Sequence, residues 1–177
     1  MTLSQREYAD AEPLYARKQA ILEKALGHDH RDVAATLDTR AFCLKKQGRD
    51  AEAVVLHDKA VRILEDTLGS EHPDVVKSLH SLATTLKTLD KLPEAHAVFE
   101  RITAILVKTH GTEHLRVADY LSIRARLLVK LGKQGDAVPL LERALSITTK
   151  KIGEHHKNTV KIRDFLQTIR EDTQGES

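Results

Sequence analysis

The chain has 177 residues, 41% hydrophobic and 31% charged, a composition that suits a folded, water-soluble domain and excludes a disordered segment. A net charge of +2 calls for no nucleic-acid or anionic-membrane partner, and neither a run of 18 apolar residues nor an apolar start (MTLSQREYAD) offers a membrane span or secretory leader. Cys43, the single cysteine, excludes an internal disulfide framework and fits a reducing compartment, so a cytoplasmic protein is expected, with a core built from Leu, Ala, Val and Ile because only six residues are aromatic.

The first predicted element, residues 1–26, is a helix in which Ala11, Leu14 and Ile21 stand in register with Ala53, Leu56 and Ile63. It reads as the second helix of a repeat whose first helix is missing, so the chain reads as a fragment of a longer array or as one with an open end. The loop GHDHRDV follows at Gly27. It returns as GSEHPDV at Gly69, GTEHLRV at Gly111 and GEHHKNT at Gly153, 42 residues on each time. A loop recurring at a fixed interval is the mark of a stacked array.

Three blocks therefore follow, 27–68, 69–110 and 111–152. After each loop an apolar series runs at spacings of four and three: Leu37, Ala41, Leu44; Leu79, Ala83, Leu86; Leu121, Ala125, Leu128. That spacing is one stripe along a helix of about 14 to 18 residues. Gly48, Asp90 and Gly132 end these helices at a position suited to left-handed backbone, where Asp is the poorer substitute. A second helix begins at once, with Asp50 as its expected N-cap and Pro93 at the expected first helical position. Its stripe reads Ala53, Leu56, Ala60, Ile63 and recurs as Ala95, Val98, Ile102, Ile105 and as Ala137, Leu140, Ala144, Ile147. Small residues at fixed positions let the paired backbones approach closely, and each hairpin buries its remaining face only by stacking on its neighbours. Residues 153–172 form a last, capping helix, ahead of a polar tail at 173–177. There the Leu-Ala-Leu stripe has become Arg163, Gln167 and Arg170, while Val160, Ile162, Phe165, Leu166 and Ile169 remain to pack backwards.

The residues that resemble chemistry have plainer readings. His30, His72, His114 and His156 sit on successive blocks, so they form a ladder and cannot converge on one metal ion; each is expected to bond its own loop backbone. Cys43 sits between Ala41 and Leu44 and reads as a small packing residue. No glycine-rich phosphate loop and no nucleophile motif is present, so neither an enzyme, a cofactor, a metal nor a small-molecule substrate is expected. Arg40 and Arg124 either pack their methylenes or reach a ligand, and packing is the reading taken.

The order Leu, Ala, Leu in the first helix and Ala, apolar, Ala in the second resembles a tetratricopeptide repeat. The 42-residue period, LGSEHPDV (Leu68 to Val75) and YADAEPLYARKQAILEKALG (Tyr8 to Gly27) resemble the repeats of kinesin light chain and its relatives. The resemblance implies an all-α, right-handed superhelical solenoid of antiparallel helix hairpins, about eight helices in all. It also implies a non-catalytic scaffold whose first helices line a concave groove that takes a peptide.

Transferred by register, the groove positions are Ala35, Asp38, Thr39, Phe42, Lys45 and Lys46; Lys77, His80, Ser81, Thr84, Lys87 and Thr88; and Asp119, Ser122, Ile123, Arg126, Val129 and Lys130. Kinesin light chain repeats commonly place Asn where this chain has Thr39, Ser81 and Ile123. Lys45, Lys77, Lys87, Arg126 and Lys130 give the groove a local basic excess that favours an acidic protein segment, with Phe42, Ile123 and Val129 supplying apolar contact between the charges and His80 a further groove residue. The alternative is a structural array that self-associates through the open N-terminal helix. Nucleic acid is not an expected partner, because stacking aromatics are lacking there.

Overall fold

A computed structural model describes residues 3–175, with side chains from Arg6 to Asp172. The described residues form eight helices and no strand: α1 (Leu3–Leu26), α2 (Arg31–Lys46), α3 (Asp50–Leu68), α4 (Pro73–Thr88), α5 (Leu92–His110), α6 (Leu115–Lys130), α7 (Gln134–Ile152) and α8 (Lys157–Gly175). The first helices of the three blocks have 16 residues each; the second have 19, slightly beyond the expected length. The chain divides into two compact units, Met1–Val98 and Phe99–Ser177, with the division inside α5.

The histidine ladder starts the helices. His30 Nδ1 accepts the backbone N–H of Asp32 at 3.1 Å, and His72 that of Asp74 at 3.1 Å. His114 takes the N–H of Arg116 and His156 that of Asn158, both at 3.2 Å. Each imidazole satisfies one of the amides that a helix start leaves without a partner, the role that Ser or Asp usually fills. An accepting Nδ1 places the proton of the neutral ring on Nε2.

The first helices end in one recurring turn. Gly48, Asp90 and Gly132 have φ of 80°, 58° and 72°, and Asp90 is the one non-glycine with positive φ among the described residues. The next amide reaches back over the turn in all three: Arg49 to Leu44, Lys91 to Leu86 and Lys133 to Leu128, at 2.9–3.0 Å. This return carries the chain into the second helix one residue earlier than the sequence suggests. Arg49 is the N-cap of α3, with no side-chain cap bond, so Asp50 is not the cap but the first helical residue; Pro93 is the second residue of α5. Asp50 and Glu52 still favour this end through the helix dipole.

Within the first unit α2 packs on α3 through Ala41, Leu44 and Ala53, with Leu56 against them. In the second unit α6 packs on α7, and Ala125 and Ala137 are both fully buried. One column of the second-helix stripe lies one residue further on than expected. Leu56, Val98 and Leu140 are half-buried, whereas His57, Phe99 and Leu141 are buried. Of these deeper residues, Phe99 meets the first helix of the following block, and His57 bonds Asp38 on the first helix of its own. Phe99 packs on Tyr120 with ring centroids 5.9 Å apart, and the register-equivalent pair in the first unit is polar, His57 and Ser78 sharing the carboxylate of Asp38.

Arg40 and Arg124 take a third course beside packing and ligand contact. Arg40 binds Glu12 Oε1 at 2.5 Å and Gln19 Oε1 at 2.6 Å on α1, and Arg124 binds Glu100 on α5. Burial lowers the pKa of Arg124, and Glu100 opposes the shift. Cys43 is buried, and desolvation followed by Glu12 raises its thiol pKa, as an inert packing residue requires. Two of the four prolines, Pro13 and Pro139, lie inside α1 and α7 without ending them; both occupy the same exposed register position.

On α8, Ile162, Leu166 and Ile169 are buried, Val160 and Phe165 are half-buried, and Gln167 and Arg170 are exposed. Thr159 stands where Val33, Val75 and Val117 are buried in the other blocks, and its Oγ1 is buried with no hydrogen-bond partner.

Two stability changes follow from these departures. Asp90→Gly removes the left-handed penalty of a side chain and raises stability by about 1 kcal/mol, read as a higher urea midpoint at constant m. Thr159→Val removes an unsatisfied hydroxyl at nearly constant volume and stabilises by about 1 kcal/mol, seen as a higher melting temperature; an unchanged or lower value shows that the hydroxyl is satisfied.

Candidate functional site

The groove positions on α2 and α4 belong to the first unit. Phe42, Lys45 and Lys46 from α2 and Ser81, Thr84 and Thr85 from α4 line a pocket of about 240 Å³, with Asp38 and His57 also in its lining. Phe42 is 46% exposed, yet it is held on both sides: Tyr8 of α1 meets it edge-on at 5.6 Å, and Lys46 Nζ lies 5.1 Å from its ring centre. Gln47 Nε2 donates to the Tyr8 carbonyl at 3.1 Å and fixes α1 at this rim. The aromatic contact is therefore positioned before any ligand arrives.

Lys45 is half-buried at the same pocket. Burial lowers its pKa, Asp50 opposes the shift, and repulsion from Lys46 and Lys87 adds to it. Lys46 and Lys87 thus bear on the Lys45 ammonium at the C-terminal ends of α2 and α4, against the attraction of Asp50. Lys45, Lys46 and Lys87 lie in the last turns, where they also complement the helix dipoles. Lys77 is different. Its Nζ lies 2.9 Å from Asp74 Oδ1, Arg31 stands 3.4 Å from the other oxygen, and Asp74 has its pKa lowered first by the Lys77 hydrogen bond. Lys77 lines a second pocket with Arg31, Asp38 and Ser78, and its charge is already balanced. His80 is half-buried on α4.

The floor between these two pockets is the Asp38 cluster. His57 Nδ1 lies 2.7 Å from Asp38 Oδ1, and Ser78 donates to Oδ2. His57 and Ser78 are 3% and 1% exposed, so each carboxylate oxygen is taken by a buried partner, while Asp38 itself still lines both pockets. The serine is bound to the carboxylate and not to the imidazole, so the arrangement lacks the base-to-nucleophile contact of acyl-transfer catalysis.

In the second unit Asp119, Ser122, Ile123 and Arg126 of α6 and Asn158, Lys161 and Ile162 of α8 line a pocket of about 260 Å³. Arg126 lies over the ring of Phe165 at 5.7 Å, and Ile123 is half-buried beside it. Lys130 is exposed in the last turn of α6. The sequence reading gave no site role to Tyr8, His57, Phe165 or Lys161, and placed Phe165 among the residues that pack backwards. His57 and Ser78 carried a signal, two polar departures in columns that hold Phe99 and Tyr120 elsewhere. Tyr8, Phe165 and Lys161 carried none, because each enters from a helix outside the three blocks.

The comparisons with known proteins agree with this geometry. A family profile described as tetratricopeptide repeat matches residues 1–66 and 32–107, and a second profile of the same description matches residues 117–157. No curated protein matches the sequence. Among solved structures, a kinesin light chain-like protein of Podosopora anserina with nearly identical TPR-like repeats is 28% identical, with a TM-score of 0.82 over 97% of this chain and 82% of that one. BtubC (BKLC) from P. vanneervenii, 19% identical, has a TM-score of 0.78 over 95% of this chain and 67% of its own. The Yersinia enterocolitica type III secretion translocator chaperone SycD, 14% identical, has a TM-score of 0.59 over 82% of this chain and 88% of its own; these last two share the fold. The chain belongs to the tetratricopeptide repeat family, as an all-α protein-interaction array of the kinesin light chain type.

Proposed function

We propose that the chain is a non-catalytic scaffold whose first helices take an acidic peptide segment of a protein partner. The observation that carries this reading is that Lys45 and Lys46 line one pocket with a pre-positioned, half-exposed Phe42, with Lys87 close enough to act on Lys45. Cations held together at a cost to one another release that cost when carboxylates enter between them. Arg126, with Lys161 and Ile123, gives the second unit a basic and apolar patch of its own. Lys130 extends that patch, while Lys77, already paired with Asp74, contributes least. The reading includes no cofactor, small-molecule substrate or nucleic acid. A cytoplasmic setting is supported by the buried thiol of Cys43, and among the described residues no helix is long and apolar enough to cross a membrane.

A second reading, a structural array that associates through α1, is favoured by one observation: Leu14 and Ile21 are 69% and 59% exposed, whereas Ile63, Ile105 and Ile147 at the register of Ile21 are buried. Exposed apolar side chains aligned on one helix face mark an association surface.

Two outcomes test the first reading. Each exposed charge pair contributes about 0.2–1 kcal/mol, so binding of acidic peptides from an array is micromolar or weaker and falls steeply with salt. Lys87→Glu with Arg126→Glu abolishes it while circular dichroism and melting stay unchanged; recovery of the same peptides by native and variant protein sinks the assignment. The pH profile supplies the second outcome. A carboxylate ligand binds the charged form of Lys45, whose pKa in the free protein is lowered, so affinity is level near neutrality and declines as alkaline pH removes that proton. In Lys45→Arg the onset of the decline moves to higher pH, where the other lysines lose their protons.

A further inference from the structure

We infer that α1 pairs with α1 of a second copy of this chain, antiparallel about a two-fold axis near Arg17; the inference rests on the second reading above and names its partner. One side of α1 is occupied. Tyr8, Glu12 and Gln19 meet Phe42 and Arg40 of α2 and Gln47 at its C-cap. Two residues further along in each case, about 200° around the helix, stand Asp10, Leu14 and Ile21. With Arg17 and Lys24 they form a continuous exposed stripe at spacings of four and three, the 3.5-residue period of a helix that winds against another helix.

The stripe is nearly symmetric about its middle, and its charges are not. Asp10 lies seven residues before Arg17 and Lys24 seven after, with Leu14 and Ile21 between. Reversal of a second copy therefore brings Asp10 against Lys24 and Leu14 against Ile21, each twice. A parallel copy brings Asp10 against Asp10 and Lys24 against Lys24. Charge complementarity thus selects both the partner and its direction.

A first-type helix, the element that covers the equivalent face inside each hairpin, fits less well. Ala60, Ile102 and Ala144 of the second helices are fully buried, and the register-equivalent residue on α1 is Lys18, which is exposed. Close packing of the hairpin kind would bury that ammonium without a partner. In the antiparallel pair Lys18 lies at the flank and stays in water. Arg17 meets its own copy at the axis, so the pair is weak by construction, and two apolar side chains per copy make a small interface that dissociates on dilution.

Sedimentation velocity of the full chain over a range of concentrations tests this without any peptide present. The expected result is a mass that rises from one chain toward two through the micromolar range. Leu14→Asp or Ile21→Asp leaves a monomer throughout with unchanged helical circular dichroism. Asp10→Lys alone and Lys24→Asp alone each weaken the dimer about tenfold, since each change breaks two pairs, and the double exchange restores it. Arg17→Ala tightens it. A native monomer at every concentration overturns the inference, and so does a dimer that ignores Leu14→Asp or an exchange that fails to restore pairing. A monomer that still binds acidic peptide leaves the scaffold reading standing; a dimer that binds none leaves this one.

Discussion

Each hairpin holds together only because two backbones approach closely, and the alanines set that distance. Ala41 and Ala53 in the first unit, and Ala125 and Ala137 in the second, are fully buried at the centre of their helix pairs. A methyl on each side leaves no rotamer to order and admits the flanking leucines to contact, so the pair gains dispersion and apolar burial at little entropic cost. Everything else follows from that spacing. It fixes where the tight turns at Gly48, Asp90 and Gly132 must fall, and it leaves each hairpin with one further face to cover.

How that face is covered differs along the chain, in one pair of register columns. Phe99 meets Tyr120 as two rings tilted by 43°, whereas His57 and Ser78 meet through Asp38. The aromatic pair is non-directional and tolerant of small shifts. The polar trio fixes angles as well as distances, and it costs more to leave half made. It lies under the pocket that holds Phe42 and Lys45, so the geometry of that pocket is tied to a hydrogen-bonded floor. The candidate binding surface is thereby rigid below, where Asp38 is bound to His57 and Ser78, and basic above, where Lys45 and Lys46 stand beside Phe42.

The two end helices depart from the pattern in opposite ways. α8 replaces the Leu-Ala-Leu stripe with Arg163, Gln167 and Arg170, and Arg170 finds Glu142. Its outward face is made for water. α1 keeps Leu14 and Ile21 on a face that nothing in the described structure covers, and sets acidic and basic residues on either side of them. Polar replacement and retained apolarity are different physical statements about what each surface meets.

The sequence by itself determined the period, the helix types and their order, the histidine caps and the left-handed turns. The helices, caps and turns depend on neighbours within four or five residues, where 3.6-residue periodicity and backbone sterics act, and the period is the recurrence of those local patterns every 42 residues. It also marked Cys43 as packing and Phe42, Lys45 and Lys87 as surface positions on one helix type. Only the tertiary structure decided that His57, Phe99 and Leu141, and not Leu56, Val98 and Leu140, lie deepest, since a one-residue rotation costs nothing until the next helix is in place. It decided that Arg40 finds Glu12, 28 residues away, and Arg124 finds Glu100, 24 away, one turn apart in register. It placed Tyr8 beside Phe42, spent the charge of Lys77 on Asp74, and moved the start of α3 to Asp50. Such pairings depend on how two helices cross, which side-chain volumes along both of them settle together; no local pattern in either helix contains that information.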